Sequence, residues 1–459
     1  MKIIIAGAGA VGTHLATLLS KESHDIVVLD EDADKLANAT DGLDVMTLCI
    51  KPTSIRGLKE AGTPQADLFI AVTPSETKNL TCCTLAHYLG ARKTVARIDN
   101  AEYLQPKNAE FFASAGIESL IYPEVLAAQE IAEGVKRSWV RQYWEVRDGS
   151  LIILGIKLRE EAFSLYGKQL KDLCPPDSPY HIVAIKRDET TIIPGGFDEL
   201  CQNDIAYFMT TKKYVPYLRQ LVGKESYPDV RKLMIMGGGR IAVQTCRLLP
   251  DYMSAKIIEK DYNRCRQLAD LLESDDVMVI NGDGRDTQLL LDEGIRTTQA
   301  FCALTPETET NILACLAAKR MGVRKTVALV ENNEYITMAE KLDIGTIINK
   351  KSIAASHIYQ MLLESDVASV KSLTIADADV AEFDVIEGAL VTQQPVMKLS
   401  LPKGITLGGL VRNGEGVLIN GHTQIRPGDH VVAFSRTALF KQLDRYFSKP
   451  KDSLFSIFH

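Results

Sequence analysis

The run Lys2-Ile3-Ile4-Ile5-Ala6-Gly7-Ala8-Gly9-Ala10-Val11-Gly12 decides how the rest of the chain is read. Ile3–Ala6 is apolar at every position, as a strand covered on both faces of a parallel sheet must be. The glycine turn follows at once. Thr13–Lys21 then reads as a helix with Leu15, Leu18 and Leu19 on one face, and Ile26–Leu29 as a second strand ending in Asp30. Strand, glycine turn, helix, strand and acid is the order of a dinucleotide-binding βαβ unit. Gly7 permits the tight turn, Gly9 lets backbone approach a pyrophosphate, and Gly12 lets the helix sit close to the strand. The N–H groups at the helix start offer an anion site. Gly7, Ala8, Gly9, Ala10, Val11 and Gly12 are therefore candidate phosphate contacts, and Asp30 is placed to accept hydrogen bonds from a ribose diol. A carboxylate there favours NAD over NADP, because it repels a 2′-phosphate. The alternative is a glycine turn that serves close packing alone.

At 459 residues the chain is long enough for several domains, and its hydrophobic fraction of 46% is ordinary for globular protein. The net charge of −7, with no basic stretch, argues against non-specific nucleic-acid binding. No apolar run reaches the roughly 20 residues of a membrane span. The chain opens directly on a strand with no charged leader before an apolar h-region, so no secretion signal is expected. Nine cysteines are scattered without a Cys-x-x-Cys pair or a Cys/His cluster. They read as reduced, mostly buried thiols rather than a zinc site.

The chain also repeats itself. Lys232–Met236 followed by Gly237-Gly238-Gly239-Arg240-Ile241-Ala242 restates the opening, with Ala242 in place of the third glycine. Ile257-Ile258-Glu259 restates Val28-Leu29-Asp30. Ala71-Val72-Thr73-Pro74 is matched by Ala303-Leu304-Thr305-Pro306, and Asn79 by Asn311. Gly90–Ala96 is matched by Gly322–Ala328, and Asn100–Tyr103 by Asn332–Tyr335. Chance would not hold one register over so many short blocks, so a unit has been duplicated. Strands are expected in the first copy at Lys2–Ala6, Ile26–Leu29, Val45–Leu48, Leu68–Val72, Lys93–Ile98 and Ser119–Ile121. Helices between them, such as Glu76–Leu89, imply a doubly wound parallel sheet in each copy.

Long helices then lead out, expected at Pro123–Ser138 and Lys350–Glu364. The segments beyond them change character. Trp144–Lys157 alternates apolar and polar residues, and short strands are expected at Ile182–Lys186, Thr191–Ile193 and Ile205–Met209. Their second-copy counterparts are Leu390–Gln394, Gly416–Ile419 and His430–Phe434, with a closing helix at Ala438–Phe447. These read as small antiparallel α+β domains.

The chain resembles the TrkA family, peripheral regulatory subunits of Trk-type bacterial potassium uptake built of RCK (KTN) domains. The two glycine turns, the acids Asp30 and Glu259, the paired Ala-x-Thr motifs, Gly282-Asp283-Gly284 and the Arg426-Pro427-Gly428-Asp429 turn carry the likeness, which runs along essentially the whole chain. It implies α/β architecture: tandem duplicated doubly wound parallel-sheet (Rossmann-like RCK N) domains, each followed by a small α+β RCK C domain. The N domains would span 1–122 and 229–349, the crossover helices 123–140 and 350–366, and the C domains 141–225 and 367–450. It implies a first nucleotide on Gly7–Gly12 and Asp30, with Thr73 and Pro74 at the crevice and Arg97 near the phosphates. A second would lie on Gly237, Gly238, Gly239, Arg240, Ile241, Ala242, Glu259, Asp283 and Thr305. The cofactor would be NAD(H), with ATP/ADP as the other candidate. The partner would be an integral-membrane TrkH/TrkG-like channel subunit, with the chain cytoplasmic on the inner face of the membrane in a dimer or tetramer ring. Two departures stand out. Ile50-Lys51-Pro52 occupies the first-copy place of Gly282-Asp283-Gly284, and Leu329 stands where the first copy has Arg97.

Several of these residues have plainer roles open to them. Arg97 could pair with Asp99 or Glu102, Thr73 and Thr305 could cap the helices that follow, and Asp283 could be a turn residue. Trp139, Tyr143 and Trp144 could form an interface or a core, and Cys82-Cys83, adjacent on a helix, read as inert. Three functions compete. One is a regulatory nucleotide-binding module without catalysis. Another is an NAD-dependent oxidoreductase, for which His181 and Lys186 are the available proton-transfer groups. The last is a scaffold with vestigial sites.

Overall fold

The computed structural model describes the chain except residues 21–23, 41, 189, 363–368, 373–377, 437–439 and 448–459. The expected helix ends at Lys21, Glu364 and Ala438 lie outside the described residues.

The first parallel sheet is built from β1 (Lys2–Ala6), β2 (Asp25–Asp30), β3 (Met46–Cys49), β4 (Leu68–Ala71), β5 (Lys93–Arg97) and β6 (Ser119–Ile121). Between them run α1 (Ala10–Leu19), α2 (Ala33–Thr40), α3 (Ile55–Glu60), α4 (Glu76–Leu89) and α5 (Ala109–Ser114), and α6 (Pro123–Val135) follows. The strand order is β3-β2-β1-β4-β5-β6, the doubly wound order with a switch point between β1 and β4. The side chains of Ile3–Ala6 and Phe69–Ala71 are shut off from solvent, which explains why these strands read as unbroken apolar runs. Burying one such isoleucine or phenylalanine side chain contributes about 1.5 to 3 kcal/mol. Ser75 caps α4 by accepting from the Lys78 N–H, and Gly90 closes that helix at φ +110°.

A five-stranded antiparallel sheet follows, from β7 (Gln142–Val146), β8 (Leu151–Lys157), β9 (Tyr180–Arg187), β10 (Thr190–Ile192) and β11 (Ile205–Thr210), with α7 (Leu170–Leu173) and α8 (Val215–Leu221). The alternating stretch Trp144–Lys157 resolves into the β7–β8 hairpin. Trp139 and Tyr143 are buried in this domain's core, and Trp144 stacks on Tyr207. Trp139 and Tyr143 are thus core residues, and Trp144 is half-buried.

The second parallel sheet repeats the first. It holds β12 (Lys232–Met236), β13 (Ser254–Glu259), β14 (Val277–Asn281), β15 (Ala300–Ala303), β16 (Lys325–Leu329) and β17 (Thr346–Ile348), in the order β14-β13-β12-β15-β16-β17. The intervening helices are α9 (Arg240–Leu248), α10 (Tyr262–Leu271), α11 (Thr287–Asp292), α12 (Thr308–Arg320) and α13 (Asn333–Lys341), with α14 (Lys350–Leu362) beyond. The last sheet is antiparallel: β18 (Ser369–Ser372), β19 (Ala378–Asp384), β20 (Ile405–Arg412), β21 (Glu415–Leu418) and β22 (His430–Arg436), closed by α15 (Phe440–Phe447).

One expectation fails in this last part, and a strand appears where none was expected. Leu390–Gln394 is a one-turn 3-10 helix at Leu390–Thr392 rather than a strand, between Gly388 at φ +84° and Pro395, which cannot donate to a ladder. Strand β20 escapes the sequence reading because Gly408 and Gly409 interrupt it. A Cβ on Gly409 would lie 2.7 Å from Met209 Sδ and 2.8 Å from Leu151, so the glycines are there because the two antiparallel sheets press together. The long helix expected to Ser138 also stops earlier, at Val135.

By their contacts Met1–Glu130, Arg240–Leu248 and Ile348–Met361 form one body, and Ile131–Gly239, Leu249–Ile347 and the described residues from Leu362 onward a second.

Candidate functional site

The first glycine turn lies at the C-terminal edge of β1, beside the switch point. Gly7 sits at φ +115°, and a Cβ on it would come within 2.9 Å of the Thr73 amide. A Cβ on Gly12 would overlap the Gly7 carbonyl. Gly9 differs, since a Cβ there would meet nothing within 4 Å. Two glycines are thus required by the protein's own packing, and the third faces open space. Gly9 is also the N-cap of α1 and has no capping side chain, so the first-turn N–H groups remain for another acceptor.

Asp30, at the end of β2, reaches back to the turn. Its Oδ2 accepts from the Ala8 N–H at 2.8 Å and its Oδ1 from the Asp32 N–H at 3.0 Å. A carboxylate has about four lone-pair sites, so each oxygen can take one more donor. The second copy repeats this arrangement with a longer side chain. Glu259 Oε2 accepts from the Gly238 N–H at 2.7 Å and Oε1 from the Asp261 N–H at 2.8 Å. Arg264 Nε adds a bond to the Gly238 carbonyl at 2.9 Å. Gly237 has φ +97°, and a Cβ on Gly239 would meet only the Leu304 carbonyl, 4.0 Å away.

Thr73 does not cap α4, a role Ser75 takes. It is tied to Asn79, which accepts from the Thr73 N–H at 2.9 Å and its hydroxyl at 2.6 Å. Asn79 Nδ2 donates to the Thr73 and Arg97 carbonyls at 2.9 and 2.8 Å. Asn311 makes the same four bonds to Thr305 and the Leu329 carbonyl. The sequence showed the two asparagines as a repeated match but not as the clamp that fixes the crevice edge. Asn79→Ala leaves a buried N–H and two carbonyls unpaired and is expected to cost about 2 kcal/mol, read as a lower melting temperature. A melting temperature within a degree of wild type would contradict this.

The remaining expected residues divide. Pro74 follows Thr73 at the same edge. Arg97 ends β5, and among the described residues its guanidinium has no ion pair; Asp99 is taken instead by Arg240, Nη1 to Oδ2 at 2.7 Å. Burial would raise the Asp99 carboxyl, but Arg240 holds it below its ordinary value. Arg240 opens α9 in the first body, with Ile241 and Ala242 buried behind it. Asp283 is gripped in its own turn by Arg285, with Oδ2 to Nη2 at 2.6 Å, which holds its carboxyl well below the ordinary range. Cys82 and Cys83 are buried on α4, and burial pushes the Cys82 thiol up to about 12. His181 is half-buried with Nδ1 3.4 Å from the Gly408 carbonyl, and Lys186 is ion-paired to Glu340 at 2.8 Å.

Taken together these features define a class: a tandem dinucleotide-type α/β chain in which each parallel sheet is followed by a small antiparallel one. Residues 3–123 and 233–350 match the TrkA-N domain family. A Trk system potassium uptake protein TrkA of Vibrio alginolyticus is 31% identical over 442 residues, 95% of each chain. Its counterpart in Halomonas elongata is 30% identical over 440 residues, again 95% of each. The solved GsuK channel bound to NAD aligns with a TM-score of 0.61 at 15% identity, over 97% of this chain and 78% of that one, which is a likeness of fold. The chain belongs to the TrkA family. Its relatives are named as potassium uptake proteins, not as enzymes.

Proposed function

We propose that this chain is a nucleotide-responsive regulatory subunit of a Trk-type potassium uptake system. One observation carries the reading most of the way. In both copies an acid closing the second strand holds the N–H of the turn's second residue, while the space over the turn's third residue is left open. The first site comprises Gly7–Gly12, Asp30, Thr73, Pro74 and Arg97. The second comprises Gly237–Gly239, Glu259, Asp283 and Thr305, and Arg240 serves the Asp99 ion pair instead. The ligand is NAD(H) where a ribose diol meets Asp30 or Glu259, and ATP or ADP is the alternative occupant. The NAD named for the GsuK channel, a fold neighbour, supports the first choice. Residues 1–122 and 229–349 act as nucleotide-binding domains, 123–140 and 350–366 as crossover helices, and 141–225 and 367–450 as C domains.

The partner is a TrkH/TrkG-like membrane channel, reached at its cytoplasmic face by a dimer or tetramer ring of these chains. Among the described residues no helix is long and apolar enough to cross a membrane. A nucleotide regulates flux only to the extent that it binds one conformation more tightly than another. The test is potassium flux through a co-reconstituted Trk channel, titrated with NADH, NAD, ATP and ADP. A saturable response to at least one nucleotide is expected. Flux independent of all four, with the chain bound to the channel, would overturn the reading.

A further inference from the structure

Away from both glycine turns, the second body contains a cavity of about 280 Å³ between the first antiparallel sheet and the second parallel sheet. Its volume is near the low end for small-molecule sites, about 300–1,000 Å³. Seven lysine and arginine side chains line it against a single glutamate, in a chain whose net charge is −7.

Three of those cations are spoken for. Arg141 and Arg159 both grip the Asp343 carboxylate, and Lys319 Nζ lies 3.0 Å from its Oδ2. Four are not. Among the described residues Lys157 has no hydrogen-bond or ion-pair partner for its ammonium. Arg324 has no carboxylate and lies over the Tyr227 ring, 5.4 Å from its centre. Lys224, almost wholly buried, donates to the Tyr227 hydroxyl at 3.1 Å and has only a long ion pair, 3.8 Å, to the half-exposed Glu161. Lys325 is buried and satisfied only by neutral oxygens, the Val140 carbonyl at 2.7 Å and Thr346 Oγ1 at 3.0 Å. Burial and the nearby Arg141 push its ammonium down to about 7, the sign of a cation kept without a counter-charge.

The first copy shows what a structural version of this corner looks like. There Arg92, the counterpart of Arg324, pairs with Asp67 at 3.0 Å, and Lys93, the counterpart of Lys325, stands 3.9 Å from Glu118. The second copy has Gln299 in place of Asp67 and Gly345 in place of Glu118. Both acids are missing where the cations have been kept and enclosed. The adjoining cavity of about 330 Å³ shares Arg141 and Lys157 but is also lined by Asp188, Glu340 and Asp343, and Lys224, Arg324 and Lys325 line the first cavity alone.

We propose that this cavity binds a small polyanion carrying two or more phosphate-type groups, held by Lys157, Lys224, Arg324 and Lys325. The site does not depend on either glycine crevice. Its occupant would bridge the first antiparallel sheet to the second parallel sheet and thereby bias their placement. The probe is inorganic tripolyphosphate, titrated calorimetrically into the full chain at low salt. Because tripolyphosphate could also meet the glycine turns, a Gly9→Ala/Gly239→Ala chain is measured alongside. Lys157→Gln and Arg324→Gln, made separately, remove side chains that hold no carboxylate and should leave the melting temperature unchanged. Each is expected to raise Kd at least tenfold, while the double glycine variant keeps the wild-type value. No binding to wild type, equal affinity in wild type and both charge variants, or loss only in the glycine variant would each overturn the proposal.

Discussion

Gly9→Ala will bind NADH about 30-fold more weakly than wild type in the first crevice, while its melting temperature stays the same. The asymmetry follows from three glycines with three different surroundings. At Gly7 and Gly12 an added methyl group meets the protein's own backbone, so variants there confound binding with folding. At Gly9 the methyl group points into open space, and the backbone, at φ −77° and ψ −177°, is one that alanine adopts freely. A surface change of that kind moves stability by no more than about 0.5 kcal/mol. On the proposed reading the open space is where a pyrophosphate rests, and a methyl group there removes close backbone approach. A 30-fold loss corresponds to about 2 kcal/mol. Fluorescence titration with NADH, on a chain whose second turn carries Gly239→Ala, isolates the first crevice. Unchanged affinity would remove the nucleotide from this turn.

Asp343→Asn will destabilise the second body by about 4 kcal/mol. Asp343 is the common anchor of Arg141, Arg159 and Lys319, and its side chain is 27% exposed. Removing one member of a buried charge cluster typically costs about 3–5 kcal/mol, because the opposite charges stay behind. Asparagine is the informative replacement, since Asp343 sits at φ +53° and asparagine tolerates that conformation nearly as well. The first copy has Gly116 there, at φ +77°, so the second has accepted a strained backbone to place a carboxylate. Both tryptophans, Trp139 and Trp144, lie in the second body, and their fluorescence during urea unfolding reads it directly.

The effect also has a pH signature. Burial alone would raise the Asp343 carboxyl, but the three cations around it hold it well below its ordinary value. A depressed carboxyl lends stability that is complete above its unfolded value near pH 4 and disappears as pH falls through the lower folded value. The gap between wild type and Asp343→Asn should therefore be constant from about pH 5 to 8 and narrow below about pH 4. A gap that stayed level into that acid range, or one under 1 kcal/mol at neutral pH, would contradict this account.

The parallel sheets were the most legible part of the chain, because a strand covered on both faces carries its burial in its own composition. Ile3–Ala6 and Phe69–Ala71 could be read without knowing what covers them. The antiparallel sheets were harder. β20 went unread because Gly408 and Gly409 answer to Met209 and Leu151, about 200 or more positions earlier in sequence. Leu390-Val391 looked like a strand because a short apolar pair suits a 3-10 turn equally well. At the crevices the glycines and acids could be named from spacing, but Thr73 could not be assigned between cap and ligand. Its hydrogen bonds go to Asn79, and that pairing exists only once strand β4 and helix α4 are placed.

The order of strands, the duplication and the two acid-closed glycine turns were written in local pattern, because period, spacing and turn chemistry act over a few residues at a time. The charge balance around Asp343 and the cavity beside it were decided by tertiary structure. Lys157, Lys224, Arg324 and Lys325 come from separate stretches of the chain, brought to one corner by folding. Whether a cation is neutralised depends on which carboxylate the fold brings within reach, and at that corner it brings almost none.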